Sequence, residues 1–131
     1  MKLRLSDIAH ARSGDKADSA DIGLFAWEPL GYALLAAHVS AEQLNAHFAH
    51  LWPNTEASSN ASSRVERYEL PQLLALKFVL RGALNGGAAS SLRGDNLGKT
   101  IGAQLLRMQI DVDDAQGTAA LLAAQQEIKR F

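Results

Sequence analysis

The residues best suited to chemistry lie near the N-terminus, in the stretch HARSGDKADSADIG at positions 10–23. Carboxylates, cations and hydroxyls surround two glycines there, directly before the apolar run LFAW. One interpretation is an ordinary turn, because Ser and Asp bond the local backbone and glycine supplies unusual dihedral angles. A turn needs only one or two polar residues, so the excess predicts a functional site. The residues of this cluster are Arg12, Ser13, Gly14, Asp15, Lys16, Asp18 and Asp21.

Histidines offer two further possibilities. His10 opens the polar stretch and is a candidate general base, although a histidine at the end of a strand is also a common hydrogen-bonded structural residue. His47 and His50 lie three apart on a predicted helix, which is the spacing of a metal-binding pair. No third ligand is evident on that helix, so we expect packing histidines and no metal site.

A second polar stretch, NGGAASSLRGDNLGKT at 85–100, precedes a predicted short helix. Glycines let the backbone approach a ligand, arginine grips carboxylate or phosphate in bidentate fashion, and helix N-terminal amides favour anions. The stretch is not a phosphate-binding P-loop, because only three residues separate Gly94 from Gly98. The alternative is a flexible surface connection. The candidate binding residues here are Asn85, Gly86, Gly87, Ser91, Arg93, Asp95 and Lys99.

Hydrophobic periodicity predicts the elements that must position these residues. Alternation of apolar and polar residues predicts strands at 2–9, 20–27, 63–70 and 106–112. Helical spacing and capping signals predict helices that begin at Pro29 and Ala41, one from Pro71 to about Arg81, a short one around 97–103 and a last one at 115–131.

These elements predict an α+β fold, a two-layer sandwich with a sheet of about four strands and helices on one face. The length of 131 residues and the 47% hydrophobic content fit one globular core. We assign residues 1–114 to that domain and 115–131 to a C-terminal helical tail.

Composition narrows the classes of function. The formal net charge of −1 offers no overall field for nucleic acid or an anionic membrane. The sequence contains no cysteine, so it has no disulfide and no thiolate nucleophile. It shows neither a signal-peptide pattern nor an apolar run of membrane-spanning length, and we expect a cytoplasmic protein.

Three separated motifs carry a resemblance to a known family: IAHARSGDKADSADIG, YELPQLLALKFVLRGALNGG and SLRGDNLGKTIGAQLLRMQI. Together they resemble the C-terminal ferredoxin-like domain of the AtuA family of acyclic terpene utilisation proteins. The resemblance implies a ferredoxin-like fold. Family members usually carry this domain behind a much larger N-terminal domain, so a chain with this domain alone implies a separate large AtuA-like subunit as partner.

The resemblance also implies a function and a site. It implies a small subunit of an enzyme complex in the catabolism of acyclic terpenes or branched acyl-CoA compounds, with hydration-type chemistry of the hydratase or lyase kind. The coenzyme A thioester is then a substrate, and no cofactor is expected. Residues 13–16 match the family's SGDK motif. The sequence departs from the family pattern at two positions: Ala17 replaces the second glycine of SGDKGD, and Asp21 replaces the asparagine of NIG. Within this interpretation the catalytic residues are His10, Asp15 and Lys16. Asp15 or His10 handles a proton, and Lys16, Arg93 and Lys99 meet phosphate or carboxylate groups.

Two interpretations of the polar stretches remain open. In the first, they form part of an active site shared with the large subunit, which carries most of the chemistry. In the second, the chain is a non-catalytic assembly module or a homo-oligomeric module that binds a small molecule. Whether this chain itself is catalytic is left open by the sequence.

Overall fold

The computed structural model describes residues 1–16, 19–51, 64–83 and 100–130. Six strands and four helices are described along the chain. The strands are β1 Lys2–Arg4, β2 Ala9–Lys16, β3 Ser19–Ala26, β4 Val65–Leu70, β5 Ala75–Leu80 and β6 Gln109–Asp111. The helices are α1 Pro29–His38, α2 Ala41–His47, α3 Ile101–Leu105 and α4 Asp114–Lys129.

Four strands form the main sheet in the order β2-β3-β5-β4, and every neighbouring pair is antiparallel. In register, Ile22 of β3 lies opposite Ser13 of β2 and Phe78 of β5. Strands β1 and β6 pair separately as a two-stranded sheet. This arrangement, with helices beside a four-stranded sheet, confirms the predicted α+β two-layer sandwich.

One face of the main sheet carries the hydrophobic core. Ile22, Leu24 and Phe78 are fully buried there, together with Leu35 of α1 and Leu44 of α2. Successive side chains of a strand point to opposite faces, so the residues between these positions lie on the other face of the sheet. The sheet therefore has a helix-covered face and an open face.

Local capping signals fix where α1 and α2 begin. The Glu28 carboxylate accepts a hydrogen bond from the Leu30 amide at 2.8 Å, and Pro29 follows as the first helical residue. Ser40 and Gln43 form the predicted capping box, in which each side chain accepts a bond from the other residue's backbone amide. Both predicted helix starts are confirmed.

The predicted first strand at 2–9, followed by a turn around Gly14, is wrong. β1 ends at Arg4, a 3₁₀ turn covers Leu5–Asp7, and β2 runs from Ala9 to Lys16. The whole polar motif SGDK lies within β2, which pairs with β3 along its full length. Pairing with a neighbouring strand satisfies the backbone of these residues, so their turn-forming tendency is overridden.

The predicted helix from Pro71 to Arg81 is also wrong. Pro71–Leu73 forms one 3₁₀ turn, and Leu74 adopts a left-handed conformation with φ of 54° that reverses the chain. β5 then runs between β3 and β4 and pairs with both. The spacing of its leucines fits a helix, but pairing on both edges gives this segment a central strand.

The C-terminal elements agree with the sequence pattern. β6 lies inside the predicted strand, and α4 occupies the predicted last helix, with Asp113 accepting a bond from the Gln116 amide at 3.1 Å. Ala120 and Ala124 of α4 are buried in the same core as the sheet. Among the described residues, no helix has the length and apolar character needed to cross a membrane.

Candidate functional site

A row of residues crosses the open face of the sheet, one from each strand. Arg12 of β2 lies opposite Gly23 of β3, which lies opposite Lys77 of β5, and Tyr68 of β4 completes the row. Neighbouring strands are about 4.8 Å apart, so the backbones of Arg12 and Lys77 lie roughly 10 Å apart with a glycine between them. Two cations therefore flank a position that has no side chain.

Gly23 forms the floor of a cleft of about 350 Å³ on this face. A Cβ atom built on Gly23 would lie only 2.7 Å from Cε2 of Phe25, so the phenyl ring lies over the glycine. A side chain at this position would displace the ring and fill the cleft. The residues around the cleft are Arg12, Ser13, Gly14, Asp21, Gly23, Phe25, Leu70, Leu73, Ala75, Leu76 and Lys77.

The charges on the cleft are unevenly paired. The Lys77 ammonium lies 3.9 Å from a carboxylate oxygen of Asp21, which is a long ion pair between partly exposed groups. No ion pair joins Arg12 to a carboxylate within the parts of the chain that the structure describes. The cleft thus presents one guanidinium, one loosely held ammonium and one carboxylate.

The other end of the cleft is apolar. Phe25 lies on one side, and the turn between β4 and β5 contributes Leu70 and Leu73. Leu73 is 63% exposed and Leu70 is 38% exposed, so this wall presents apolar surface to solvent. Charged and apolar walls in one cleft suit a ligand with an anionic group attached to a hydrocarbon body.

His10 lies opposite Phe25 of the cleft wall in the pairing of β2 with β3, and it packs against two aromatic rings. Its imidazole stacks on Phe25 with ring centroids 5.3 Å apart and meets Trp27 at 4.6 Å. Partial burial among these rings lowers the pKa of His10 below the usual 6.5, and the positive charge of Arg12 lowers it further. The imidazole is therefore neutral at neutral pH and able to accept a proton.

The structure distributes the residues predicted from the polar stretch between the two faces of the sheet. His10, Arg12, Gly14 and Lys16 alternate onto the open face. Ser13 turns toward the helices, where its hydroxyl accepts a hydrogen bond from the Gly102 amide at 2.9 Å.

The predicted catalytic residues are not gathered at one point. By strand alternation Asp15 lies on the same face as Ser13. His10 and Lys16 share the open face, but six residues of extended strand place them about 20 Å apart. Their catalytic roles stay predictions.

The remaining predicted site residues lie outside the described part of the chain. These are Asn85, Gly86, Gly87, Ser91, Arg93, Asp95 and Lys99, together with Asp18 of the first polar stretch.

Sequence reasoning missed two residues that define the cleft. Lys77 falls inside the predicted helix from Pro71 to about Arg81, and Phe25 falls inside the predicted strand at 20–27; neither is among the predicted site residues. The signal for Lys77 is its place between Leu76 and Phe78, which are both buried while Lys77 is not. An alternating pattern of this kind puts the lysine on the open face of a strand.

Among the described residues, no group of three or more histidine or carboxylate side chains that could hold a metal ion is found. His47 instead bonds through Nε2 to the backbone oxygen of Gln104 at 2.9 Å.

The family model of the AtuA ferredoxin-like domain matches residues 3–111. The chain belongs to the AtuA ferredoxin-like domain family. The match spans β1 to β6, and so includes every strand that forms the open face. It ends before α4, which begins at Asp114. No curated protein and no solved structure matches the chain.

Proposed function

We propose that this AtuA ferredoxin-like domain is the small subunit of an AtuA-type enzyme complex that acts on acyclic terpene-derived or other branched acyl-CoA compounds. In this proposal the open-face cleft recognises the substrate, and a large AtuA-like subunit supplies most of the chemistry, of the hydration type. The observation that carries the proposal is the pair of cations, Arg12 and Lys77, on either side of Gly23 and next to an apolar wall.

The cationic half of the cleft supports recognition of an anionic group. Guanidinium and ammonium groups bind carboxylate and phosphate oxygens through charge-assisted hydrogen bonds. The Lys77 and Asp21 side chains are 3.9 Å apart, so a ligand anion can draw Lys77 away at little cost. Gly23 places no side chain of its own between the two cations, and the Phe25 ring that lies over it forms the adjoining apolar wall.

The apolar half supports recognition of a branched hydrocarbon. The Phe25 ring, Leu70 and Leu73 offer a surface that a branched acyl chain can cover, and removing that surface from water contributes about 25 cal/mol per Å². His10 adjoins this wall as a neutral imidazole, so it is the described residue best placed to accept a proton from a ligand in the cleft.

The proposal is tested by purifying the tagged chain from its native host and assaying the complex with branched acyl-CoA compounds. We expect a large AtuA-like subunit in fixed ratio, and turnover by the complex. Arg12→Gln and Lys77→Gln should each raise KM about tenfold, because each removes a charge-assisted bond. The control Lys129→Gln removes the same charge from α4 and should leave KM unchanged. Unchanged KM in both cleft variants would refute the assignment.

The catalytic predictions are tested in the same complex. His10→Gln should lower kcat more than it raises KM if the imidazole moves a proton in the reaction. Lys16→Gln and Asp15→Asn test the other two predicted catalytic residues. Retention of wild-type kcat in a variant would remove that residue from the mechanism.

The exposed leucines favour one alternative, in which the chain is a non-catalytic assembly or homo-oligomeric module. Leu73 is 63% exposed beside Leu70 and Tyr68, and apolar clusters of this kind also form protein interfaces. Leu73→Asp should then abolish assembly, as measured by light scattering. Leu122→Asp on α4, at a leucine 55% exposed, is the control. Intact assembly in Leu73→Asp would count against this alternative.

A further inference from the structure

A second cleft, of about 470 Å³, lies on the helical side of the molecule. It is formed where the end of α2 and the 3₁₀ turn Ala49–Leu51 approach α3 and the turn that follows it. Of the residues that the structure describes, none lines both this cleft and the open-face cleft. The residues around it are His47, His50, Thr100, Ala103, Gln104 and Arg107.

Among the described residues, the charged and titratable side chains that line this cleft are His47, His50 and Arg107. All three are bases. Within the described residues, none of the three forms an ion pair with an acidic group. A concave site with uncompensated positive charge attracts anions, and the arginine disfavours a metal cation at the same place.

The two histidines are held in position by packing. The buried Phe48 ring meets His47 edge-on, with centroids 4.9 Å apart, and lies 6.3 Å from the ring of His50. The Nε2 atom of His47 is 2.9 Å from the Gln104 carbonyl oxygen, which can only accept, so Nε2 carries a proton. This bond joins α2 to α3 and fixes one wall of the cleft before any ligand binds.

We propose that this cleft binds a phosphate monoester. Arg107 meets two phosphate oxygens through its guanidinium, and His50 donates a hydrogen bond to the third. The cleft is larger than a bare inorganic anion requires, so the group esterified to the phosphate occupies the remaining space, beside Ala103 and Gln104. This proposal uses none of the residues assigned to the acyl-CoA site and stands independently of it.

The proposal is tested by titrating the ¹⁵N-labelled chain with phenyl phosphate and, separately, with inorganic phosphate, while following backbone amide shifts. Phenyl phosphate should shift the amides of residues around 47–51 and 100–107 and should bind more tightly than inorganic phosphate. Equal affinity for the two probes, or shifts confined to other regions, would overturn the assignment.

Variants complete the test. Arg107→Gln should weaken phenyl phosphate binding about tenfold, and His50→Gln should weaken it by a smaller factor. Both residues are exposed. Lys129→Gln matches the loss of one charge at a position outside both clefts and should bind as wild type. Wild-type affinity in Arg107→Gln and His50→Gln would overturn the proposal.

Discussion

The two faces of the four-stranded sheet are built from alternate residues of the same strands, yet they differ in every physical respect. On the covered face Ile22, Leu24 and Phe78 are fully buried. On the open face their neighbours Gly23, Phe25 and Lys77 surround a cleft. One residue of offset along a strand separates a core position from a site position, because side chains alternate with a period of two.

The contrast extends to how each face holds its cations. On the covered side, Arg67 donates from Nε to the Val39 carbonyl and from Nη2 to the Ala36 carbonyl, both at 2.8 Å, and so satisfies the C-terminal end of α1. On the open side, Lys77 has one long contact with Asp21. A cation that already donates to the protein stabilises the fold, whereas a loosely held one remains free to bind a ligand.

The largest test of this contrast compares two phenylalanines. Phe78→Ala should lower the free energy of unfolding by about 3–5 kcal/mol, because it leaves a cavity in the covered core. Phe25→Ala on the open face should cost much less, since its ring is only half buried. Urea denaturation measures both. Comparable losses would show that the open face also supports the fold.

Arg67 on the covered face and Lys77 on the open face give the next largest difference in stability. Arg67→Met keeps the apolar stem but leaves the Ala36 and Val39 carbonyls without their donor, so stability should fall by about 1–3 kcal/mol. Lys77→Met breaks only the long contact with Asp21 and should change stability by less than about 0.5 kcal/mol. Thermal unfolding measures the stability of both variants. An equal loss of stability in the two would contradict the predicted difference between the faces.

Two serines on β2 and β3 provide a finer comparison. Ser13→Ala removes the acceptor for the Gly102 amide and should cost about 1 kcal/mol. Ser19→Ala, on the open side of the neighbouring strand, should be close to neutral. Chemical denaturation of the pair measures the difference. A neutral Ser13→Ala would show that the Gly102 bond does not stabilise the packing of α3 on β2.

The smallest effect is a dependence on pH. Because folding lowers the pKa of His10, the unfolded chain binds more protons as the pH falls below 6.5, and the contribution of this residue to stability is lost in acid. Stability should therefore fall more between about pH 7.5 and about pH 5.5 in the wild type than in His10→Gln. Arg12→Gln should reduce the same dependence partly. Identical pH profiles for wild type and His10→Gln would contradict this prediction.

Local signals predicted part of the fold well. The pair Glu28 and Pro29, and the capping box of Ser40 and Gln43, each act within a few residues and determine where a helix begins. The alternation along β3 likewise predicted its span. The β5 segment was misjudged because its leucines satisfy helical spacing while Leu76, Phe78 and Leu80 satisfy strand spacing, and only pairing with two neighbours decides between them.

Local sequence likewise predicted only one of the two cations of the open-face cleft. Arg12 was selected from the density of polar residues around it, which is a property of the sequence alone. Lys77 is 65 positions further along the chain, and its approach to Arg12 depends on β3 and β5 becoming neighbours. A site assembled from different strands can be predicted only once the strand order is known.

We propose that the open face holds the ligand of this domain, and amide-shift mapping with a branched acyl-CoA compound tests this proposal most directly. The shifts should concentrate at Arg12, Gly14, Gly23 and Lys77, with an affinity that is weakened about tenfold in Arg12→Gln and retained in Lys129→Gln. Absence of shifts on β2, β3 and β5 at saturating ligand would contradict it.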